Sequence, residues 1–443
     1  MIAEMVLREL IDQDHARQVQ LARARRCYEG KFDKPLNKSN ADPLAKDNVM
    51  MNYAAPIVNK GVSFLMGNEV TFEIEGDGES DEKSPDQLYL DGTWKQNKQM
   101  CLLHNMAQNG GITGDVLVKM MPPSPGKKYP RLINLDPATV TPVLGTDDID
   151  DVQGWLIQWN CVEGGKPAVR RQIISREVNS WEIVDQISRG NSNTWLPLGT
   201  AIWPFAWSPI FHCNNLPEAN VFWGVSDIEA HVLSVNDAIN MTMSNMARIL
   251  RMHAHPKVWG RGFNANTMDM SVDSLTILPS PTAELNALEM QSDLASSITM
   301  YEKLKECLFE VAGIPEISIG KVDKIGQLSG VALKILYQSI LEKNGTKQLF
   351  YGAMFEELNM RLLEYGGLTA EADIKITWQD PLPVDKAGET TNAAALSDLG
   401  VSKQTLLTEL GYDPEEEAER KAGEATNDAA MGAAMLDAFG KGQ

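Results

Sequence analysis

Residues whose types and spacing could do chemistry are few. His253 and His255, separated by Ala254, could present two imidazoles to a metal. A zinc or iron site needs three or four ligands in a fixed geometry, and no carboxylate or thiol stands at ligand spacing from this pair. Surface or interface histidines account for it better. His212 and Cys213 could be imagined as a nucleophile and its base, yet neighbours along a strand point to opposite faces. Gly110-Gly111-Ile112-Thr113-Gly114-Asp115 is glycine-rich, but it lacks the Gly-Lys-Ser/Thr ending of a phosphate loop. It also precedes a strand, the wrong order for a dinucleotide fingerprint, so a turn between helix and strand suffices. Five cysteines, Cys27, Cys101, Cys161, Cys213 and Cys307, stand singly with no CxxC pair, and read as reduced thiols. The expectation is a chain with no catalytic residues, no metal and no cofactor.

Charge-bearing groups are the next candidates. The chain has a net charge of −20, which opposes a broad, sequence-independent grip on nucleic acid, because that grip comes from Lys and Arg neutralising phosphates. Two places depart from the acidic background. Between Met241 and Met270 stand Arg248, Arg251, Lys257 and Arg261 against the single acid Asp269, a local reversal of the kind that marks a contact surface. Further on, Lys321, Lys324, Gln327 and Ser329 lie in a loop punctuated by Gly320, Gly326 and Gly330, whose composition predicts mobility.

The elements that must position these groups can be read from periodicity. Residues 1–30 predict a helix with Arg23, Arg25 and Arg26 in its last turns, where cations suit the helix dipole. A second helix is predicted from Asn52 to Met66, a strand over Val70–Ile74, and an acidic loop from Glu75 to Asp91. Asp115 to Gly224 reads as β-rich, with seven of the ten tryptophans between Trp155 and Trp223 assigned to core packing. After Gly224 the residues Ile228, Val232, Val235, Ile239, Met243, Met246 and Ile249 step by three or four, an apolar stripe about 30 Å long. Pro256 ends it. Past a connector, Leu294, Ile298, Tyr301, Leu304, Leu308 and Val311 mark a second amphipathic helix that Gly313-Ile314-Pro315 breaks. Val331 to Tyr365 reads as one long helix with a kink at Gly345 or Gly352, followed by a strand over Ile374–Trp378 and short Ala-rich helices. The apolar runs fall short of the roughly 20 residues needed to cross a bilayer, and no secretion signal is visible. The fold class expected is α+β.

The order of several short segments carries a resemblance. Asn214-Asn215, then Gly224-Val225-Ser226-Asp227-Ile228-Glu229, then Asp237-Ala238-Ile239-Asn240 and Ser244 are similar to the central stretch of phage portal proteins. Leu328-Ser329-Gly330-Val331-Ala332-Leu333-Lys334 resembles the start of that family's long helix. Gly400-Val401-Ser402-Lys403-Gln404-Thr405 with Asp413-Pro414-Glu415-Glu416-Glu417 resembles its C-terminal signature. Asn52, Ile57-Val58-Asn59, Leu65-Met66-Gly67 and Leu135-Asp136-Pro137-Ala138 fit the same pattern, so the likeness runs from about Asn52 to Gly423. The connector 256–281 carries no signature of the family.

This resemblance implies a portal fold and a structural role as one of twelve subunits around a DNA channel at a capsid vertex. Residues 1–225 and 330–379 would form an α/β wing, 226–255 and 290–312 a two-helix stem, and 256–289 a small α/β clip. Residues 319–329 would form the channel loop that precedes the long helix, and 380–443 a helical crown. Ile228, Val232, Val235, Ile239, Met246, Leu294, Ile298 and Leu308 would then pack between neighbouring stems. Arg248, Arg251, Lys257 and Arg261 would meet a clip partner, and Lys321, Lys324, Gln327 and Ser329 would meet DNA. Implied partners are further copies of the chain, double-stranded DNA held transiently, the terminase large subunit, major capsid and scaffolding proteins, and head-completion adaptors. No membrane is implied, and the location is the virion, after assembly in host cytoplasm. The chain would serve genome packaging, DNA retention, tail attachment and ejection. A ring of twelve would carry on the order of −240, a field that repels a sliding polyanion instead of trapping it. A capsid-associated protein without a channel is the alternative, and a nucleotide-driven translocase would need the phosphate loop that the sequence lacks.

Overall fold

The computed structural model describes residues 4–36, 47–74, 83–148, 150–190, 194–254, 258–262, 281–287, 294–319, 330–368, 373–382 and 386–409, together with 414, 417–418 and 420–421. The chain divides into two compact units, Met1–Lys321 with Tyr337–Pro381, and Val322–Leu336 with Leu382–Gln443.

The first unit opens with helix α1 (Glu4–Tyr28), α2 (Ala54–Met66), strand β1 (Val70–Ile74), α3 (Pro85–Gln96) and α4 (Gln99–Thr113). The loop expected over 75–91 is therefore helical from Pro85. Its start is set by Ser84, whose side chain accepts the Gln87 N–H, by Pro85 in the first turn and by Asp86 against the helix dipole. Eight strands follow: β2 (Asp115–Met121), β3 (Arg131–Leu135), β4 (Val140–Leu144), β5 (Val152–Glu163), β6 (Lys166–Arg176), β7 (Trp181–Arg189), β8 (Leu196–Trp203) and β9 (Ile210–Asn214). They make two antiparallel sheets, one ordered β3-β2-β9 and one β4-β5-β6-β7-β8. Leu7 and Ile11 of α1 cover one face of the larger sheet, on Leu156, Ile173 and Val184. Of the seven tryptophans expected in the core, Trp155, Trp181, Trp203 and Trp207 are buried, while Trp159, Trp195 and Trp223 are half-buried.

Helix α5 (Ala230–Ala254) leads to a hairpin of β10 (Val258–Arg261) and β11 (Glu284–Ala287), and α6 (Leu294–Ala312) returns and packs against α5. Gly313 ends α6 with φ +66, and the Ile314 N–H reaches back to the Phe309 carbonyl at 3.0 Å. Glycine takes that left-handed turn without the steric cost of a Cβ.

The single helix expected over 331–365 is two helices. Helix α7 (Gly330–Leu336) belongs to the second unit and α8 (Gln338–Tyr365) to the first. The break falls at Tyr337 (φ −97, ψ 6), whose ring stacks on Phe64 at 5.7 Å, while Gly345 and Gly352 stay helical. Leu336 is consequently exposed and Phe350 half-buried, and the buried stripe runs through Ile340, Tyr351, Phe355, Leu358 and Leu362. Strand β12 (Ile374–Trp378) pairs with β1. Helices α9 (Lys386–Asp398) and α10 (Lys403–Glu409) lie in the second unit. Among the described residues no helix is long and apolar enough to cross a membrane.

Candidate functional site

The residues from Asn214 to Asp227 converge at the root of α5, where α4, β9 and α8 meet. Asp227 is the centre. Its carboxylate accepts from Lys347 Nζ at 2.6 Å and lies 3.0 Å from Lys343 Nζ, and both Asp227 and Lys347 are almost fully buried. Lys343 also donates to the Ala312 carbonyl at the end of α6, at 3.2 Å. One carboxylate thus ties the start of α5 to α8, and through Lys343 to the end of α6. Burial by itself raises the Asp227 carboxyl, but Lys347 and Lys343 outweigh it and hold it below the ordinary carboxylate range.

Three neighbouring contacts fix the geometry. Asn215 is fully buried, donates to the Val225 carbonyl at 3.2 Å and accepts from the Tyr351 hydroxyl at 3.2 Å. Burial pushes that hydroxyl well above its usual pKa, so it stays protonated as a donor. Ser226 Oγ lies 3.0 Å from the Gly111 and Ile112 carbonyls at the end of α4 and accepts the Ile228 N–H at 2.9 Å. Asp115 Oδ1 takes both His212 Nε2 and the Gly224 N–H at 2.9 Å, while Cys213, the next residue in β9, is buried and its thiol is pushed up by burial. His212 and Cys213 therefore do not act as a pair.

The glycines are explained by close approach. A Cβ on Gly114 would stand 2.4 Å from the Gly224 carbonyl oxygen, and one on Gly224 would stand 2.3 Å from that of Gly114. Gly110 admits the Tyr351 hydroxyl, and Gly111 lies against Asp227. The stretch read as a turn is thus the last turn of α4, with Gly114 alone in the left-handed region as its cap.

A second polar feature runs along α5. Asn236, Asn240 and Ser244, spaced four apart, accept the backbone N–H groups of Tyr53, Met51 and Val49 at 3.0, 2.8 and 2.9 Å. Asn236 also donates to the Met51 carbonyl at 2.9 Å, and Ser244 to that of Val49 at 3.3 Å. Four residues of helix rise about 6 Å and two residues of extended chain about 6.6 Å, so the two repeats stay in register. The side chains of a helix here serve as the edge of a strand. Asn240 and Ser244 stood out in the sequence as part of a pattern, but nothing there pointed to residues 49–53 as what they hold.

The residues singled out in the sequence are placed as follows. Ile228, Val232, Ile239 and Leu308 are at most 2% exposed within their own chain. This corrects the expectation for these four: they have no surface left to give a neighbour. Val235, Met246 and Leu294 are half-buried and Ile298 is exposed. Arg248 and Arg251 lie on α5 instead of the hairpin. Arg251 pairs with buried Asp47 at 2.6 Å, and Arg261 with Glu284 across the β10–β11 hairpin at 2.7 Å. The basic surplus is therefore smaller in space than along the sequence. Lys257, Lys321, Lys324, Gln327 and Ser329 lie outside the described residues, as do His255 and the side chain of His253. Among the described residues no group of three His, Cys, Asp or Glu could hold a metal.

Comparison with known proteins follows the same outline. The family described as phage portal protein, SPP1 Gp6-like, matches residues 7–163 and 210–430. No curated protein matches the chain. Among solved structures, a chain from the neck of an empty GTA particle computed with C6 symmetry is similar at 15% identity and a TM-score of 0.51, over 84% of this chain and 93% of that one. A chain from the virion of a native gene transfer agent particle is similar at 15% identity and a TM-score of 0.48, over 90% and 94%.

Proposed function

The chain belongs to the SPP1 Gp6-like family of phage portal proteins, and from that premise we propose that its copies close into a ring around a channel for double-stranded DNA at one vertex of a capsid. The family is structural, so the chain's work is to shape and hold a passage. The observation that carries the reading is the α5–α6 pair. These helices pack on each other, bracket the β10–β11 hairpin, and leave Met241, Leu250, Ile298 and Met300 between 41% and 53% exposed. Large apolar side chains left exposed on different sides of a packed helix pair are surface for neighbouring copies to bury.

In this reading α5 and α6 form the stem, the hairpin lies in the clip, and residues 1–225 with 330–379 form the wing. The loop 319–329 brings Lys321 and Lys324 to DNA, and 380–443 form the crown. The junction at Asp227 and the seam along α5 hold the stem at a fixed angle to the wing. A net charge of −20 per copy suits a conduit in which phosphates must slide. Terminase, capsid, scaffolding and adaptor proteins would meet the ring at its outer faces, with Lys257 and Arg261 of the clip, and Arg248 and Arg251 of the stem beside it, at one of them. ATP hydrolysis would belong to the terminase.

Electron microscopy of the purified protein tests the proposal. A perforated ring, of twelve subunits in the assembled particle, is the expected image, and a persistent monomer or an assembly without a channel overturns it. Ile298→Asp places a charge on the exposed stem face and should lower ring yield at least several-fold in light scattering while the circular dichroism of the subunit is unchanged.

A further inference from the structure

One corner of the first unit reverses the charge of the chain. From Gly92 to Leu135 the only acid is Asp115, where 60 acids in 443 residues would place about six in a stretch of that length. Asp115 and Lys119, both in β2, are buried, so neither charge reaches the surface. What remains are Lys95 and Lys98, where α3 meets α4, and Lys127, Lys128 and Arg131, at the turn between β2 and β3. All five are exposed.

The fold brings these two groups together. The Gln96 side chain donates to the Tyr129 carbonyl at 2.8 Å and that of Asn97 to the Pro130 carbonyl at 2.9 Å, while Asn97 Oδ1 accepts the Leu132 N–H at 2.9 Å. The Tyr129 ring packs edge-on against Tyr89 of α3, with centroids 5.2 Å apart. Lys95 and Lys98 thus flank the bonded residues of one element, and Lys128 and Arg131 flank those of the other. Pro122, Pro123, Pro125 and Pro130 fix much of the turn's backbone, and the Lys127 N–H closes on the Ser124 carbonyl at 2.9 Å. The cations are therefore carried on a framework with little freedom left to lose on binding. The acids that bound the stretch are engaged elsewhere: Asp91 takes Lys83 at 2.7 Å and Asp136 takes Arg25 at 2.9 Å. Among the described residues, none of the five cations pairs with a carboxylate.

We propose that this corner binds the phosphate backbone of duplex DNA, as a site distinct in the chain from the loop 319–329. Among the described residues no large apolar side chain is exposed between Leu88 and Val162, so the corner lacks the apolar anchors on which protein partners depend. Four of the five cations are lysines, which protein interfaces disfavour and which act toward phosphate as mobile point charges. The acidic charge elsewhere does not cancel them, because at physiological ionic strength charges more than about 8 Å away are largely screened. A duplex carries one negative charge for about every 1.7 Å of its axis, so cations on two elements each find a phosphate without exact register. Such contacts read no bases, and the binding is independent of sequence. The inference takes from the proposed function only that duplex DNA is the polyanion this chain meets.

Fluorescence anisotropy of a short labelled duplex, titrated with the full-length protein, tests this. Two unrelated sequences should bind alike, and affinity should fall on the order of a hundredfold between about 50 and 200 mM salt. The combined variant Lys95→Gln, Lys98→Gln, Lys127→Gln and Lys128→Gln should bind about tenfold more weakly, or worse, at the lower salt. Its salt slope should be shallower by about one for each lysine that meets a phosphate. All four side chains are exposed, so its circular dichroism and light scattering should match the parent's. Lys321→Gln with Lys324→Gln should retain most of the binding. If that loop variant loses binding and the corner variant does not, the contact belongs to the loop; the corner proposal then fails while the channel reading stands. Poly-glutamate at matched charge should displace little duplex, and displacement as complete as by unlabelled duplex overturns the proposal in favour of an acidic protein segment. Absence of binding at the lower salt also overturns it.

Discussion

Lys347 and Lys119 are equally buried, each 3% exposed, yet they do opposite things. Lys347 has Asp227 at 2.6 Å, and beside it lies a cavity of about 10 Å³, room for about one water molecule. Lys119 bonds a neutral amide oxygen, Oε1 of Gln172, feels Asp185 as a more distant carboxylate, and has clefts on both sides. A buried ammonium with its counter-ion and close packing is a joint. The same group bonded to a neutral amide, its ammonium pushed down to about 8 by burial, is a cost that the fold carries. What separates the two is the partner supplied, not the depth of burial.

The largest effect should come from breaking the first. Asp227→Asn strands Lys347 without its counter-ion and should cost about 3 to 5 kcal/mol in urea denaturation followed by tryptophan fluorescence. The parent's pH dependence carries the same sign. Because the folded carboxyl titrates below its ordinary range, the stabilisation is complete above that range and is lost as pH falls through the lower folded value. Asp227→Asn should flatten that acid limb.

Lys119→Met should do the reverse. With a folded pKa near 8 and an unfolded one near 10.5, the unfolded chain holds more protons between these values, so the parent gains stability as pH rises from 8 toward 10.5. Methionine should remove that rise and stabilise the protein at neutral pH by up to about 3 kcal/mol. A loss of stability instead would mean that the Gln172 bond outweighs the buried charge. Smallest is Asn240→Ala, which takes away the acceptor for the Met51 N–H and should cost about 1 to 2 kcal/mol. Amide exchange should quicken at Met51 before it does at the Asp227 joint.

How much of this was legible in the sequence follows from where each signal lies. The ends of α6 and α8 were readable because Gly313 and Gly366-Gly367 stand at the stops. The start of α3 was readable too, from Ser84-Pro85-Asp86, but the acidic run before it favoured a loop. The break at Tyr337 has no glycine or proline to announce it and depends on a ring stacked against Phe64, about 270 residues away in the chain. Asn215, Gly224 and Asp227 were recognisable as a pattern, yet their role needs Lys343 and Lys347, which in an isolated helix read as solvated cations. Lys119 carries a signal of its own, as a lone charge in Val116-Leu117-Val118-Lys119-Met120-Met121, an otherwise apolar run in the middle of a sheet.

The seam between α5 and residues 49–53 also sets an order of events. Its hydrogen bonds join positions 183 to 195 residues apart, and every β-strand from β2 to β9 lies inside the loop they close. Closing such a loop costs entropy that local contacts within the sheets do not have to meet, so the seam is a late event on the folding route. It also needs α5 already wound, since Asn236, Asn240 and Ser244 share a face only in a helix. The seam therefore records completion: α5 takes up its place beside residues 49–53 only in a subunit whose sheets have already formed.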